Sequence, residues 1–282
     1  MRIDDGRDGA DYVEVNRANW DDRARAHDWA GGYDLQRFVD DPTLLSGVVE
    51  FDRPLLGEIA GIEAVHLQCH IGTDTLSLAR LGARMTGLDL SPASLGIARR
   101  LAADAGADIR YLESNVYDAL DVLGTGSFDL VYTGIGALCW LPSIDRWAAT
   151  VAGLLRAGGR LLLRDAHPVL LSIGEEHPER LEIGLPYFET PQPDVWDEQL
   201  SYVPTERPLE ATVSYQWNHG IGELVTALLQ HGMELTALVE HRTVPWPALS
   251  ELMEPDEVSG EWRLREHPER LPLTFTIAAR KR

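Results

Sequence analysis

Asp89 closes a stretch, residues 63–92, that reads as a strand, a tight turn, a helix and a second strand. Residues 64–68 are a short apolar run, 73–81 carry apolar residues at helical spacing, and 84–88 are strand-like again before the acid. Such a unit sets its first turn beside the end of its second strand, at the carboxyl edge of a sheet, where ligands bind. A carboxylate there accepts two hydrogen bonds from a ribose diol. The interval from Gly72 to Asp89 fits the spacing of about 20 residues between the glycine turn and the acid of nucleotide-binding units. A purely structural strand-helix-strand unit is the competing reading.

Gln68, His70 and Gly72 occupy the three places where the usual fingerprint has glycines. A diphosphate needs backbone amides at close approach, which side chains at the first two places hinder. A nicotinamide-dependent oxidoreductase is therefore the weaker alternative. S-adenosylmethionine carries no phosphate and tolerates a bulkier turn, and from about residue 44 onward the chain resembles the class I S-adenosylmethionine-dependent methyltransferases. The resemblance implies that Gln68, Cys69, His70, Gly72, Asp74, Asp89, Leu90 and Ser91 surround the donor. It puts Asn115 and Val116 at the adenine, Thr133 and Gly134 beside the methyl group, and 138–142 along the pocket. His66 stands where the family usually has an acid, leaving Asp74 or a backbone carbonyl to meet the donor's amino group. Residues 155–163 look like the family's fifth motif. Trp217-Asn218-His219 and 271–275 resemble a bacterial small-molecule branch.

The elements that position these residues follow in order. Ser91 as N-cap and Pro92 in the first helical position open a helix over 92–105. Strands are expected at 108–112, 127–134 and 160–164, with a helix over 143–156 stopped by Gly158-Gly159. Strand-like alternation at 212–217 precedes a helix over 221–231, and strands at 234–242 and 271–279 complete the sheet. By resemblance the fold is α/β, a doubly wound, mostly parallel seven-stranded sheet with an antiparallel last strand. Four parts are expected: a tail and helical lid (1–42), a donor-binding core (43–167), a cap insertion (168–211) and the C-terminal part of the core sheet (212–282).

The proline-rich, aromatic stretch 168–208 is too long for a simple connection and reads as a cap over the substrate, or else as a surface insertion packing its own aromatics. Pro245-Trp246-Pro247 opens another loop. Residues 1–11 read as a mobile tail, and Trp20, Trp29 and Tyr33 suggest a lid that excludes water, a helix on the back of the sheet being the alternative. Methyl transfer is mostly alignment, with a base only if the acceptor must lose a proton. His167 and His219 are the candidate catalytic bases, although each could equally orient substrate or cap a helix.

The formal charge of −20 and a single lysine, Lys281, argue against nucleic acid or an anionic membrane as partner, though solubility alone explains such acidity equally well. Cys69 and Cys139 are the only cysteines, and no apolar run approaches the roughly 20 residues of a membrane span, so the expected compartment is a reducing cytoplasm. No histidine pair has the close spacing on a helix, or the cysteine company, of a zinc site, and no metal is expected. The expected activity is methyl transfer to oxygen or nitrogen of a small-molecule acceptor by a monomer or homodimer. A donor-binding protein without methyl transfer is the other alternative.

Overall fold

The computed structural model describes residues 2–3, 11–28, 33–174, 177–203 and 207–282. Trp29 and most of the expected tail lie outside that set. Seven strands form the central sheet: β1 (Glu63–Leu67), β2 (Arg84–Asp89), β3 (Arg110–Glu113), β4 (Phe128–Thr133), β5 (Leu155–Ala166), β6 (Met233–His241) and β7 (Thr274–Lys281). Their order is β3-β2-β1-β4-β5-β7-β6, with β7 antiparallel to both neighbours and the remaining pairs parallel. The order reverses between β1 and β4, which opens a crevice at their carboxyl ends.

Both faces are covered, which is why the middles of the central strands, 64–67, 130–132 and 161–163, are mostly apolar. Six helices matter for the site: α1 (Tyr12–His27), α2 (Gly47–Leu56), α3 (Thr73–Arg80), α4 (Pro92–Asp104), α5 (Ile144–Leu154) and α6 (Ile221–Gln230). Ala64, Leu130 and Leu162 pack with Val49 and Leu56 of α2 and Leu78 of α3, while Val65, Val131, Leu161 and Leu163 pack with Trp147 of α5 and Leu224 and Leu228 of α6. Ser91 caps α4 by accepting from the Ser94 N–H, and Ser143 caps α5 by accepting from Arg146.

Three expectations need correcting. The helix over 143–156 stops at Leu154, and β5 begins at Leu155, so Gly158-Gly159 bend a strand instead of ending a helix. Gly158 has φ +77°, and the β4–β5 register shifts between Phe128 and Leu130, opposite this bend. The strand expected at 212–217 forms and precedes α6, but it does not belong to the core sheet. It is Val213–Gln216, which pairs with Asp194–Asp197 and through it with Arg2–Ile3, so the cap sheet continues past residue 211. Finally, the loop after β6 folds into a second small sheet of Thr243–Val244, Trp262–Leu264 and Met253–Pro255.

Helix α1 packs on α4 and on the cap sheet, not on the back of the central sheet. Asn16 clamps it there with paired bonds, its Nδ2 donating to the Tyr215 carbonyl (2.9 Å) and its Oδ1 accepting from the Tyr215 N–H (2.8 Å).

Candidate active site

The turn after β1 takes backbone that its side chains disfavour. Gln68 and His70 have φ of +57° and +50°, in the left-handed region, at about 1 kcal/mol or more each. Tertiary contacts hold both. The His70 N–H donates to Asp89 Oδ2 (2.7 Å) and the Gln68 Nε2 donates to the Ala137 carbonyl (2.8 Å). Gly72 cannot be replaced so readily. At φ +83°, a Cβ there would lie 2.7 Å from the Tyr111 hydroxyl and 2.8 Å from the Ala98 Cβ.

This turn floors a cavity of about 600 Å³ at the β1–β4 reversal. Of the residues predicted to surround a donor, Gln68, Cys69, His70, Asp74, Asp89, Leu90, Asn115, Val116 and Gly134 line it. Gly72, Ser91 and Thr133 do not; they shape the backbone behind it. Asp89 Oδ1 accepts from the Ser91 N–H (2.9 Å), and burial pushes its carboxyl up to about 6 despite these amides. Asn115 caps the short helix Val116–Asp118 through Tyr117 and donates to the Tyr12 hydroxyl (3.1 Å). The Gln68 Oε1 is buried without a hydrogen-bond partner.

Two titratable side chains meet at one end of the cavity. An ideal Cβ on Gly134 would lie 3.4 Å from both Asp74 Oδ2 and His66 Nε2, so a carboxylate and an imidazole edge flank one spot. His66 Nδ1 is 2.9 Å from the Thr75 hydroxyl. Burial pushes the imidazole down to about 3, so at neutral pH it is uncharged, and its Nε2 can accept while Nδ1 donates to Thr75. Burial also raises the Asp74 carboxyl, with Ser46 partly offsetting this.

A second wall is the turn after β4. Asp165, at the end of β5, gathers it: Oδ1 accepts from Gly136 (2.6 Å), and Oδ2 from Leu138 (2.8 Å) and Ala137 (3.3 Å). The roof is aromatic. Trp20 of α1 stands edge-on to Trp140 and His70, with ring centroids 5.0 and 5.1 Å away. His27 joins the roof to the floor and the cap, with Nδ1 3.0 Å from His70 Nε2 and Nε2 2.6 Å from the Ser201 hydroxyl. Tyr33 and Tyr202 share a 2.7 Å hydrogen bond.

His167 and His219 are not among the lining residues. His167 Nδ1 accepts from the Val169 N–H (3.2 Å), capping Pro168–Leu171, and Nε2 meets Glu240 (2.9 Å). His219 spans Glu223 (2.9 Å) and the Leu141 carbonyl (2.7 Å). With both nitrogens of each ring engaged, the geometry gives them helix-capping and bracing roles. His167→Ala should therefore cost about 1 kcal/mol in denaturant unfolding through the lost cap and leave donor-analogue affinity unchanged; a binding loss without a stability loss would contradict this.

Sequence reasoning missed Glu261, which lines the cavity from the bend just before the strand Trp262–Leu264. Its carboxylate accepts from both terminal guanidinium nitrogens, Nη1 and Nη2, of the fully buried Arg164 at 2.8 Å. Nothing in the local pattern of 259–261 signals this, because the pairing partner lies 97 residues away.

A family model for a methyltransferase domain matches residues 65–161, from β1 to β5. The chain carries a class I S-adenosylmethionine-dependent methyltransferase domain. A ubiquinone biosynthesis O-methyltransferase from Xanthomonas euvesicatoria is 33% identical over 129 residues, 44% of this chain and 53% of the relative. One from Nitrosococcus oceani is 35% identical over 103 residues, 36% and 43% of the two chains. The chain thus spans about half the length of the curated relatives it matches. In fold, the methyltransferase domain and its additions resemble an S-adenosylmethionine dependent methyltransferase from Mesorhizobium loti, with TM-score 0.56 and 22% identity over 86% of this chain and 100% of that one. Geranyl diphosphate C-methyltransferase from Streptomyces coelicolor gives 0.54 and 14% over 83% and 78%.

Proposed function

We propose that the protein transfers a methyl group from S-adenosylmethionine to oxygen or nitrogen of a small-molecule acceptor. The observation that carries the reading is the pairing of two polar ends in one cavity: Asp89 at the end of β2, and the Asp74–His66 pair flanking Gly134. Asp89 suits a ribose diol. Asp74, with the neutral His66, suits the donor's ammonium and replaces the motif acid that the sequence lacks. Leu90, Asn115 and Val116 line the wall where an adenine would rest. The O-methyltransferase relatives favour oxygen as the accepting atom.

S-adenosylmethionine supplies an activated methyl group on a sulfonium centre. The chain's contribution is alignment and exclusion of water: the carboxylate-anchored 136–138 turn fixes one wall, and Trp20, Tyr33, Trp140 and Tyr202 cover the opening. The Gln68 and His70 side chains weigh against a dinucleotide diphosphate at this turn. Both cysteines are free, and no helix among the described residues is long and apolar enough to cross a membrane. Free cysteines accord with work in a reducing cytoplasm, and the net charge of −20 disfavours nucleic acid or an anionic membrane as substrate.

Titration with S-adenosylhomocysteine, methylthioadenosine and NADH tests the reading. S-adenosylhomocysteine should bind tightly, and Asp74→Asn should weaken it on the order of tenfold while leaving methylthioadenosine, which lacks the amino-acid part, unchanged. Tight binding of NADH alone would overturn the proposal. Incorporation of labelled methyl into an acceptor separates transfer from mere donor binding.

A further inference from the structure

Two imidazoles meet above the donor turn. His70 lines the cavity, and its Nε2 lies 3.0 Å from Nδ1 of His27, which is fully buried. His27 Nε2 lies 2.6 Å from the hydroxyl of Ser201, a partly exposed residue of the cap that does not line the cavity. His70 Nδ1 has no hydrogen-bond partner among the described residues, which leaves it as the nitrogen that can meet a ligand. The three side chains thus form an unbroken chain of hydrogen bonds leading out of the cavity.

Arg23 gives that chain a direction. Its Nη1 donates to the same Ser201 hydroxyl at 3.4 Å, so the oxygen already serves as an acceptor and its second lone pair suits the Nε2–H of His27. His27 Nδ1 is then bare and takes the Nε2–H of His70, and His70 Nδ1 presents a lone pair. Burial pushes the His27 ring down to about 3, with Arg23 adding to the effect, and burial likewise holds His70 well below its ordinary value. Both rings are therefore uncharged at neutral pH and hold a proton only in passing, which suits a relay. Trp20 and Tyr33 stand edge-on to the His70 ring, with centroids 5.1 and 5.6 Å away, and a proton released beneath such a cover needs a route out.

We propose that His70 takes the acceptor's proton and that His27 and Ser201 carry it out to solvent. This rests on the methyl-transfer reading and adds the acceptor's class: a nucleophile that reaches the site still protonated, as a hydroxyl or an N–H. As the bond from the accepting atom to the methyl carbon forms, the carbon–sulfur bond breaks with its electron pair left on sulfur. The acceptor's proton passes to His70 Nδ1, the Nε2 proton of His70 to His27 Nδ1, the Nε2 proton of His27 to Ser201, and the Ser201 hydroxyl proton to water. The sulfonium charge is lost in the step that places one on His70, so the net charge under the cover does not change. His70 is the catalytic residue; His27 and Ser201 position it and pass the proton on.

The full chain, labelled with nitrogen-15 in its histidines and saturated with S-adenosylhomocysteine, is read by long-range proton–nitrogen correlation at pH 7.5, with His27→Gln and His70→Gln assigning the two rings. Each ring should be uncharged and carry its proton on Nε2. A proton on His70 Nδ1, or a charged ring at either position, would overturn the proposal. A second arm measures transfer of labelled methyl to phenol and to thiophenol, which is largely ionised at this pH and needs no base. His70→Gln should slow transfer to phenol about a hundredfold and His27→Phe about tenfold, with thiophenol little changed. Losses of equal size on both acceptors would make the pair structural and overturn the relay. Neither the spectrum nor the S-adenosylhomocysteine isotherm needs an acceptor, so failure of the methyl-transfer reading is distinguishable from failure of the relay.

Discussion

Asp89→Asn should weaken S-adenosylhomocysteine binding by about 2 kcal/mol, roughly 30-fold, measured by calorimetric titration at pH 7.5. Two losses combine in that figure. The amide offers the sugar hydroxyls a weaker acceptor, and one of its ends becomes a donor facing the N–H of His70 or of Ser91, which Oδ2 and Oδ1 now satisfy. The turn that holds Gln68 and His70 at positive φ is then less well braced. The same carboxylate sets a pH dependence. Its folded value of about 6 lies above its ordinary 3.8, so the ligand-free fold binds the proton more tightly than the unfolded chain does. Its contribution favours the fold at low pH and is lost as pH rises from 3.8 through about 6. Donor binding has the opposite sign, because the diol needs the ionised form. Affinity should fall as pH drops below about 6, approaching tenfold per unit, and Asp89→Asn should flatten this limb. An unaltered profile in the variant would remove Asp89 from the binding site.

Glu261→Ala should cost about 3–5 kcal/mol of stability, because it strands a buried guanidinium. Arg164 is fully buried, and its bidentate bonds to Glu261 are its shortest charged contacts; Asp52 lies 4.0 Å away and the Phe51 ring 3.6 Å from its Cζ. Asp52 cannot compensate well. Burial lifts its carboxyl to about 7, and its Oδ2 already accepts from the Tyr132 hydroxyl at 2.6 Å. The second small sheet should loosen with the loss, since Arg164 of β5 and Glu261 tie it to the core. Urea unfolding of the variant checks the magnitude. Arg164→Met combined with Glu261→Leu should restore much of the stability, since an apolar pair of similar volume carries no desolvation penalty. If the double variant is as unstable as the single one, the cost lies elsewhere than in the unpaired charge.

Much of the core was legible because its signals are local. The apolar runs of β1, β2 and β4, the Ser91-Pro92 start of α4 and the acid ending β2 are each written within a few consecutive residues, and the structure places them within a residue or two of expectation. The helix-to-strand boundary at Leu154 was less legible, since Gly158-Gly159 punctuate a helix end and a bent strand equally well. The second small sheet escaped because its strands are two or three residues long, too short to show alternation.

His167 and His219 illustrate a different limit. Positions at a strand end and before a helix made them candidates, but the orientation of an imidazole depends on partners such as Glu240 and the Leu141 carbonyl, 73 and 78 residues distant. The sequence by itself determined the strand and helix segments of the parallel core and the acid that ends β2, since those signals are local, while the doubly wound sheet was what the family resemblance implied. Only the tertiary structure decided which polar groups face the β1–β4 crevice: Asp74 beside His66, Glu261 against Arg164, and Trp20 with His27 over His70. Those pairings join residues far apart in the chain, and burial alone settles whether each group is charged, satisfied or free to meet a ligand.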